Sequence, residues 1–565
     1  MRIGSFASRC STSRTRARLS ARLAMFREDH DGALVIFALM LAVLMMMMGG
    51  IAVDVMRYES RRTSLQNTLD RSTLAAASLT QDQDPRSVVN DYFLKAGLAD
   101  SLTSVTVTQS LTAREVSATA AADTDPIFLH LMGINDFDAA GISTAEQRIN
   151  NVEIALVLDV SGSMSGTKIT NLRSAAASFV DTVLAGDDEH HVSISIVPYN
   201  AQVNLGAPLR SKFNATYLHG VANVNCLELP DSVFSTTMLP RDLALPMYAF
   251  ADTDYATDKI DGFVSPLSTS FAVPKFDNSY CLRNTNNVVR LPNNDATVLK
   301  SQINGLTADG NTSIVLGLKW GEALLDPDMR DTFTSLIGTG DIPATIPDRP
   351  FDYGPTGLKV IVLMTDGEHV AHTGIVNTYK TGLSPIYRSE GDGNYSIQHT
   401  SGRPAVAGTN QFWVPHLSAS SAFAAAGWQS GPWDSGSGVV QLDWKDVWTN
   451  LRLSYVSWQF YARALGTSSS TRSSTFTSTS NTINKTWKSA SAMDTLLQTA
   501  CTAARNDGII IYGIAFQAST AGQTQIRNCS TDGAAGSHYF NATTVNIASA
   551  FQSIATNISQ LRLTQ

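Results

Sequence analysis

Residues 33–53, Ala-Leu-Val-Ile-Phe-Ala-Leu-Met-Leu-Ala-Val-Leu-Met-Met-Met-Met-Gly-Gly-Ile-Ala-Val, carry no charge. At 1.5 Å per residue such a helix is about 30 Å long, the thickness of a bilayer's hydrocarbon core. A buried core helix of this length would keep a polar face, and this stretch has none. It is too long for the usual apolar core of a signal peptide, and no Ala-x-Ala cleavage site follows. Residues 1–32 contain seven arginines. By the positive-inside rule that end stays in the cytoplasm, and the bulk of the chain lies across the membrane. A mitochondrial presequence would share the Arg/Ser richness but not the abutting apolar run.

Composition narrows what lies beyond. Of 565 residues, 43% are hydrophobic, enough for a real core, and the net charge is −8. That charge argues against nucleic acid as a partner. Cys226, Cys281, Cys501 and Cys529 follow the apolar run, with no metal-type spacing. An even number there suits disulfides in an oxidising compartment. The expected pairs are Cys226–Cys281 and Cys501–Cys529, since each encloses a local segment. Four cysteines allow three pairings, and buried free thiols are the alternative.

After the apolar run, Leu65, Leu69, Ser72, Ala76 and Leu79 recur at helical spacing, which predicts a helical stalk. Residues 86–97 suit a helix, and 105–108 and 116–119 alternate like strands. Residues 127–132 form a short apolar helix or strand. Residues 54–150 are thus expected to be a stalk plus a small α/β unit without chemistry of its own.

Residues 154–159, Ile-Ala-Leu-Val-Leu-Asp, read as a buried strand closed by a turn. Ser161 and Ser163 follow Asp159 at alternating positions. Mg²⁺ takes six oxygen ligands and keeps several waters. Two loop hydroxyls can bind such an ion, and a carboxylate can neutralise charge and orient a water. The five-residue motif alone serves equally well as an ordinary βα turn. Two further stretches add to it. Gly310-Asn311-Thr312 opens an apolar helical segment, and Lys359-Val-Ile-Val-Leu-Met-Thr-Asp366 is a second buried strand ending in Asp.

Together these stretches resemble the metal-ion-dependent adhesion site of von Willebrand factor type A domains. The resemblance implies a ligand set of Asp159, Ser161, Ser163, Thr312 and Asp366 for Mg²⁺, or for Mn²⁺ or Ca²⁺. It also implies the fold class: α/β, a doubly wound, mainly parallel, Rossmann-like sheet over residues 151–565. The alternation of strands and helices agrees. Two long insertions interrupt it, at about 200–300 and 368–488. Six tryptophans of the second, Trp413, Trp428, Trp433, Trp444, Trp448 and Trp458, are expected in a local core rather than a binding surface. The Ser/Thr-rich run 467–483 is expected to be a mobile loop. His190, His191, His369 and His372 are taken as surface or loop histidines. No Ser-His-Asp order or Gly-x-Ser-x-Gly elbow accompanies them, so no enzyme is expected.

The segment from Phe26 through Asp54, Arg57, Arg62, Asp70 and Leu74-Ala-Ala-Ala resembles TadE/TadG-like proteins of tight-adherence (Flp) pilus assembly. So do Gly310–Gly321 and the stretch from Cys501 to Leu561. This implies a single-pass protein of the bacterial inner membrane, N-terminus in the cytoplasm, with a periplasmic or otherwise extracytoplasmic bulk. Its implied partners are other pilus-assembly components, one of them a protein that supplies a carboxylate to the metal. The alternative is a structural anchor, or a surface adhesin, whose metal site assembly does not need. Prepilins have a related leader with a Glu five residues past the cleavage point. Phe37 stands at that place here, so no cleavage after Gly32 is expected.

Overall fold

A computed structural model describes residues 31–78, 83–109, 113–134, 137–148, 151–254, 259–276, 281–354, 357–419, 422, 424–532, 537–543 and 546–564. The Arg-rich stretch 1–30, with Cys10, and Leu79 of the helical seam lie outside these residues. Contacts divide the chain into two units, 1–148 and 149–565.

The first unit is built on one helix, α1 (Asp31–Ala77). Its uncharged part leaves Leu34, Phe37, Met40 and Met46 each at least 67% exposed. This helix is long and apolar enough to cross a membrane. Its far end is different: Leu65, Leu69, Ser72 and Ala76 are all fully buried. They pack with α2 (Pro85–Lys95) and an antiparallel sheet of β1 (Leu102–Gln109), β2 (Ala113–Thr124) and β3 (Phe137–Arg148). The helix end is therefore part of a packed unit, which corrects the expectation of a plain stalk. The third strand was not anticipated, because its Ala, Gly and Ser residues give little alternation.

The second unit holds a six-stranded sheet. Its strands are β4 (Asn151–Asp159), β5 (Val192–Tyr199), β6 (Arg290–Asn293), β7 (Gly357–Thr365), β8 (Ile510–Phe516) and β9 (Tyr539–Ala542). The spatial order is β9-β8-β7-β4-β5-β6. All neighbours are parallel except β6, which runs antiparallel beside β5. Burial on both faces explains why β4 is apolar without a break from Ile154 to Leu158. Ile154, Leu156 and Leu158 face one core, with residues of α3 (Thr167–Val183) and of the closing helix Ile547–Thr564. Ala155 and Val157 face the other, with α4 (Ile314–Leu325) and α5 (Ala490–Asn506). Helix α4 lies close to the sheet because Gly317 and Gly321 face it. A Cβ on Gly317 would sit 2.4 Å from the Tyr199 ring, and one on Gly321 would sit 2.7 Å from Val157.

Residues 200–289 form the first insertion, closed by a Cys226–Cys281 disulfide. Cys501–Cys529 is the other disulfide, as expected from sequence. The second insertion carries a five-stranded antiparallel sheet and its own aromatic core. Trp413, Trp428, Trp444, Trp448 and Trp458 are each no more than 5% exposed. Trp433 is only partly buried, and its indole nitrogen donates to Asp392 (2.9 Å). The first insertion supports the helix over 453–465. Tyr455, Trp458 and Arg463 donate to the carbonyls of Val264, Ile260 and Asp261.

The Ser/Thr run is not a loop. Residues Ser469–Ile483 form a helix that opens with a Ser468/Thr471 capping box. Arg472, Phe476, Ser480 and Ile483, spaced four, four and three apart, bury one face, and Arg472 pairs with Asp261 (2.7 Å). Packing of that one face outweighed the weak helix propensity of Ser and Thr. Nor are the histidines at the surface as a group: His191, His369 and His372 are each no more than 7% exposed.

Candidate functional site

β4 and β7 are hydrogen-bonded neighbours, with Leu158 opposite Met364, so both end at the same rim of the sheet. The chain leaves β4 towards β5 on one side, whereas β7 continues the sheet on the other. The crevice between them is where strand order reverses, the usual ligand position in open α/β sheets.

Asp159, the last residue of β4, has no exposed surface. One carboxylate oxygen accepts the Ser161 backbone N–H (2.8 Å), the other the Thr365 hydroxyl (2.7 Å). The Ser161 and Ser163 hydroxyls share a hydrogen bond of 3.0 Å. Ser163 in turn donates to Asp366 Oδ1 at 2.6 Å. An unbroken chain of polar contacts thus runs from the Asp159 loop to Asp366, which lies 203 positions beyond Ser163 in sequence.

The Thr312 loop is tied to the same rim by its backbone. Gly162 N–H donates to the Gly310 carbonyl (2.8 Å), and Asp309 N–H to that of Val160 (2.8 Å). Gly310 adopts φ +80°, a conformation that favours glycine. Thr312 is 5% exposed, and its carbonyl accepts the Val370 N–H (3.1 Å). Its hydroxyl lies 3.7 Å from where a Cβ on Gly367 would sit. All five sequence-derived residues therefore lie in three loops at one rim. Ser163, Asn311 and Glu368 face solvent there, while Asp159, Ser161 and Asp366 lie beneath.

The electrostatics are unbalanced. Burial, reinforced by the neighbouring Asp366 charge, pushes the Asp159 carboxyl up to about 6. One cation already stands at the rim: Lys168 Nζ donates to Asp366 Oδ2 at 2.7 Å. Sequence reading missed this lysine, although a signal existed. Lys168 occupies the first turn of α3, where the helix dipole disfavours a cation. A lysine placed there needs a nearby anion.

His369 braces the arrangement. Its Nε2 accepts the Val315 N–H in the first turn of α4 (3.0 Å), and its Nδ1 pairs with Asp494 of α5 (2.7 Å). This fixes the neutral tautomer with the proton on Nδ1. Both ring nitrogens are engaged, so the ring positions the loop after Asp366 and is not a free base.

The donor set suits a hard divalent cation: two carboxylates and three hydroxyls within three adjoining loops. Among the described residues no group of three or more His, Cys, Asp or Glu side chains is placed to hold a metal ion, at this rim or elsewhere, so the hydroxyls would have to complete the ligand set.

Comparison with known proteins places the other end of the chain. Residues 32–79 match the family model described as "Putative Flp pilus-assembly TadE/G-like". This segment is TadE/G-like. It coincides with α1, so the apolar helix and its buried far end belong to the match. Comparison with curated proteins finds no match. Among solved structures, the vWF domain of the type V pili tip protein Mfa5 from Porphyromonas gingivalis is 13% identical. The match covers 74% of this chain and 97% of that one, with a TM-score of 0.30. The pilus adhesin RrgA from Streptococcus pneumoniae is 13% identical over 80% of this chain and 49% of its own, with a TM-score of 0.27. A von Willebrand factor type A structure from Catenulispora acidiphila is 13% identical over 47% of this chain and 34% of its own, with a TM-score of 0.16. TM-scores this low do not establish a shared fold. The TadE/G-like segment and the apolar helix fit a membrane-anchored protein.

Proposed function

We propose that this is a membrane-anchored protein of Flp-type pilus assembly whose doubly wound type A domain docks a partner protein through a divalent cation. Ser161, Ser163 and Thr312 would hold the ion through their hydroxyls, with Asp159 and Asp366 binding it directly or through water. The observation that carries this reading is the polar chain Asp159–Ser161–Ser163–Asp366, assembled from two strand ends at the crevice. Bound there, Mg²⁺ supplies a positive charge with a coordination position open to a carboxylate from the partner. Thr365 and the Ser161 N–H orient Asp159, and His369 fixes the loop that carries Asp366. The role proposed is binding, with both His369 nitrogens engaged in holding the loop.

The test uses full-length protein in nanodiscs. Wild type binds Mn²⁺ or Mg²⁺ in calorimetry and retains pilus-assembly components in Mg²⁺ but not in EDTA. Ser161→Ala/Ser163→Ala lowers ion affinity by about 100-fold or more, equivalent to ~2.7 kcal/mol, and abolishes retention. Normal piliation in the double variant, with loss only on removal of residues 33–53, would leave a structural anchor.

That second reading has one observation in its favour. The Lys168–Asp366 ion pair already supplies the rim with a cation. Lys168→Met separates the two. If the ammonium competes with a metal ion, Mn²⁺ binds about tenfold tighter in the variant, a change of ~1.4 kcal/mol. If the pair is purely structural, the variant melts at a lower temperature and gains no affinity.

A further inference from the structure

Asp54 is the first charge after the apolar run, yet it is only 2% exposed. Its carboxylate accepts three consecutive backbone N–H groups, of Ile127 (3.0 Å), Phe128 (2.7 Å) and Leu129 (2.9 Å). The turn between β2 and β3 is thereby tied to α1 at the point where the uncharged stretch ends. Phe128 reaches further along the helix and covers Gly50: a Cβ there would sit 2.3 Å from the Phe128 ring. Gly50 lies four positions before Asp54 on the helix, about 6 Å of rise.

The outer side of this turn is apolar and uncovered. Ile127 is 58% exposed, Leu131 78%, Met132 55% and Ile134 41%. The adjoining helix surface, Val53, Val55 and Met56, is also exposed. Meanwhile six backbone donors of the turn are satisfied from within. The N–H groups of 127, 128 and 129 go to Asp54, and those of 131, 133 and 134 go to carbonyls of Phe128, His130 and Leu129. Internal satisfaction of backbone donors is what lipid requires and water does not. Asp54 keeps its charge, but these three donors solvate it from within, which lowers the cost of a carboxylate near hydrocarbon.

We propose that residues 127–134 are a second membrane contact, seated in the lipid interface beside residues 50–54 of α1. This rests on reading 33–53 as a bilayer span. Lipid is favoured over a protein partner because the patch continues the apolar surface of the helix at the same level. Interfacial side chains enter the bilayer by about 5–10 Å, and Leu131 and Met132 project from the turn. A lone helix rotates and tilts freely in lipid. A second contact fixes the orientation of the first unit on the membrane.

The test uses the full chain, Cys10→Ser, in liposomes of phosphatidylcholine and phosphatidylglycerol. A polarity-sensitive fluorophore is attached at Leu131→Cys, at Leu44→Cys, or at Thr106→Cys on the exposed side of β1. Doxyl groups set shallow or deep in the acyl chain act as quenchers. The Leu131 label is expected to shift to the blue and to lose emission to shallow doxyl lipid, while resisting aqueous iodide. The Leu44 label loses emission to the deep quencher, and the Thr106 label loses it to iodide. Iodide quenching of Leu131 equal to that of Thr106 overturns the proposal. So does shielding from both quenchers, which would mean that protein covers the patch. Failure of the deep quencher at Leu44 sinks the bilayer span instead, so the two readings fail separately.

Discussion

Asp159→Asn makes the cation-free protein more stable and removes its capacity for a divalent ion. The wild-type carboxyl is pushed from 3.8 up to about 6 by burial and by Asp366. At about 1.4 kcal/mol per pH unit, the buried charge costs up to roughly 3 kcal/mol at neutral pH. Asn is isosteric, keeps an acceptor for the Ser161 N–H, and lets the Thr365 hydroxyl turn to accept. A gain of about 1–2 kcal/mol is therefore expected in EDTA at pH 7, after the loss of charge-assisted hydrogen bonds. The sign depends on pH. The folded state holds this proton more tightly than the unfolded chain does. Its contribution in the wild type is full below about pH 4 and is lost as pH rises through about 6. The gap between variant and wild type should open across that window. In saturating Mg²⁺ the order reverses, because only the wild type gains stability from the ion. Thermal melts of both proteins, in EDTA and in Mg²⁺, measure all of this. A variant that melts lower in EDTA at pH 7 would show that Lys168 and the hydrogen bonds already outweigh the cost of the charge.

Trp413→Ala is expected to cost about 3–5 kcal/mol, the range for a large buried aromatic. The ring is fully buried and its Nε1 donates to the Gln459 carbonyl (2.9 Å). It packs 5.6 Å from the Trp428 ring and closes under Gly427, where a Cβ would meet it at 2.4 Å. The Arg463 guanidinium lies over it at 5.8 Å. Removing the indole leaves a cavity and deletes its hydrogen bond to the Gln459 carbonyl in one place. The loss should be local, since this core is distinct from the two that flank the six-stranded sheet. Hydrogen exchange should accelerate over 383–443 and 453–465, with protection of β4 and α3 kept. Chemical denaturation gives the size of the effect. A cost below about 1 kcal/mol would contradict the packing argument.

How the insertion acquires a core was only half visible beforehand. The tryptophans announced buried aromatic surface, since large rings must find cover somewhere. Their partners could not be named, because Gln459 and Arg463 lie far from Trp413 in sequence and residues 260–264 farther still. The Ser469–Ile483 helix is hidden from the sequence for the same reason. Its composition is that of a flexible loop, and only the burial of Phe476 and Ile483 and the Asp261 partner of Arg472 make it a helix.

The sequence alone determined the local features: an uncharged run of 21 residues, two apolar strands each closed by Asp, and the amphipathic helices. These depend on periodicity and on short loops, so a one-dimensional pattern carries them. The tertiary structure decided what meets at the rim. Pairing of β4 with β7 in one register sets Asp159 beside Thr365, and the turn after Thr365 carries Asp366 to Ser163. It also put Lys168 against Asp366, His369 under the first turn of α4, and the turn after β2 against Asp54. Each of those contacts spans more than fifty residues of chain, and only the packing of the elements between sets its geometry.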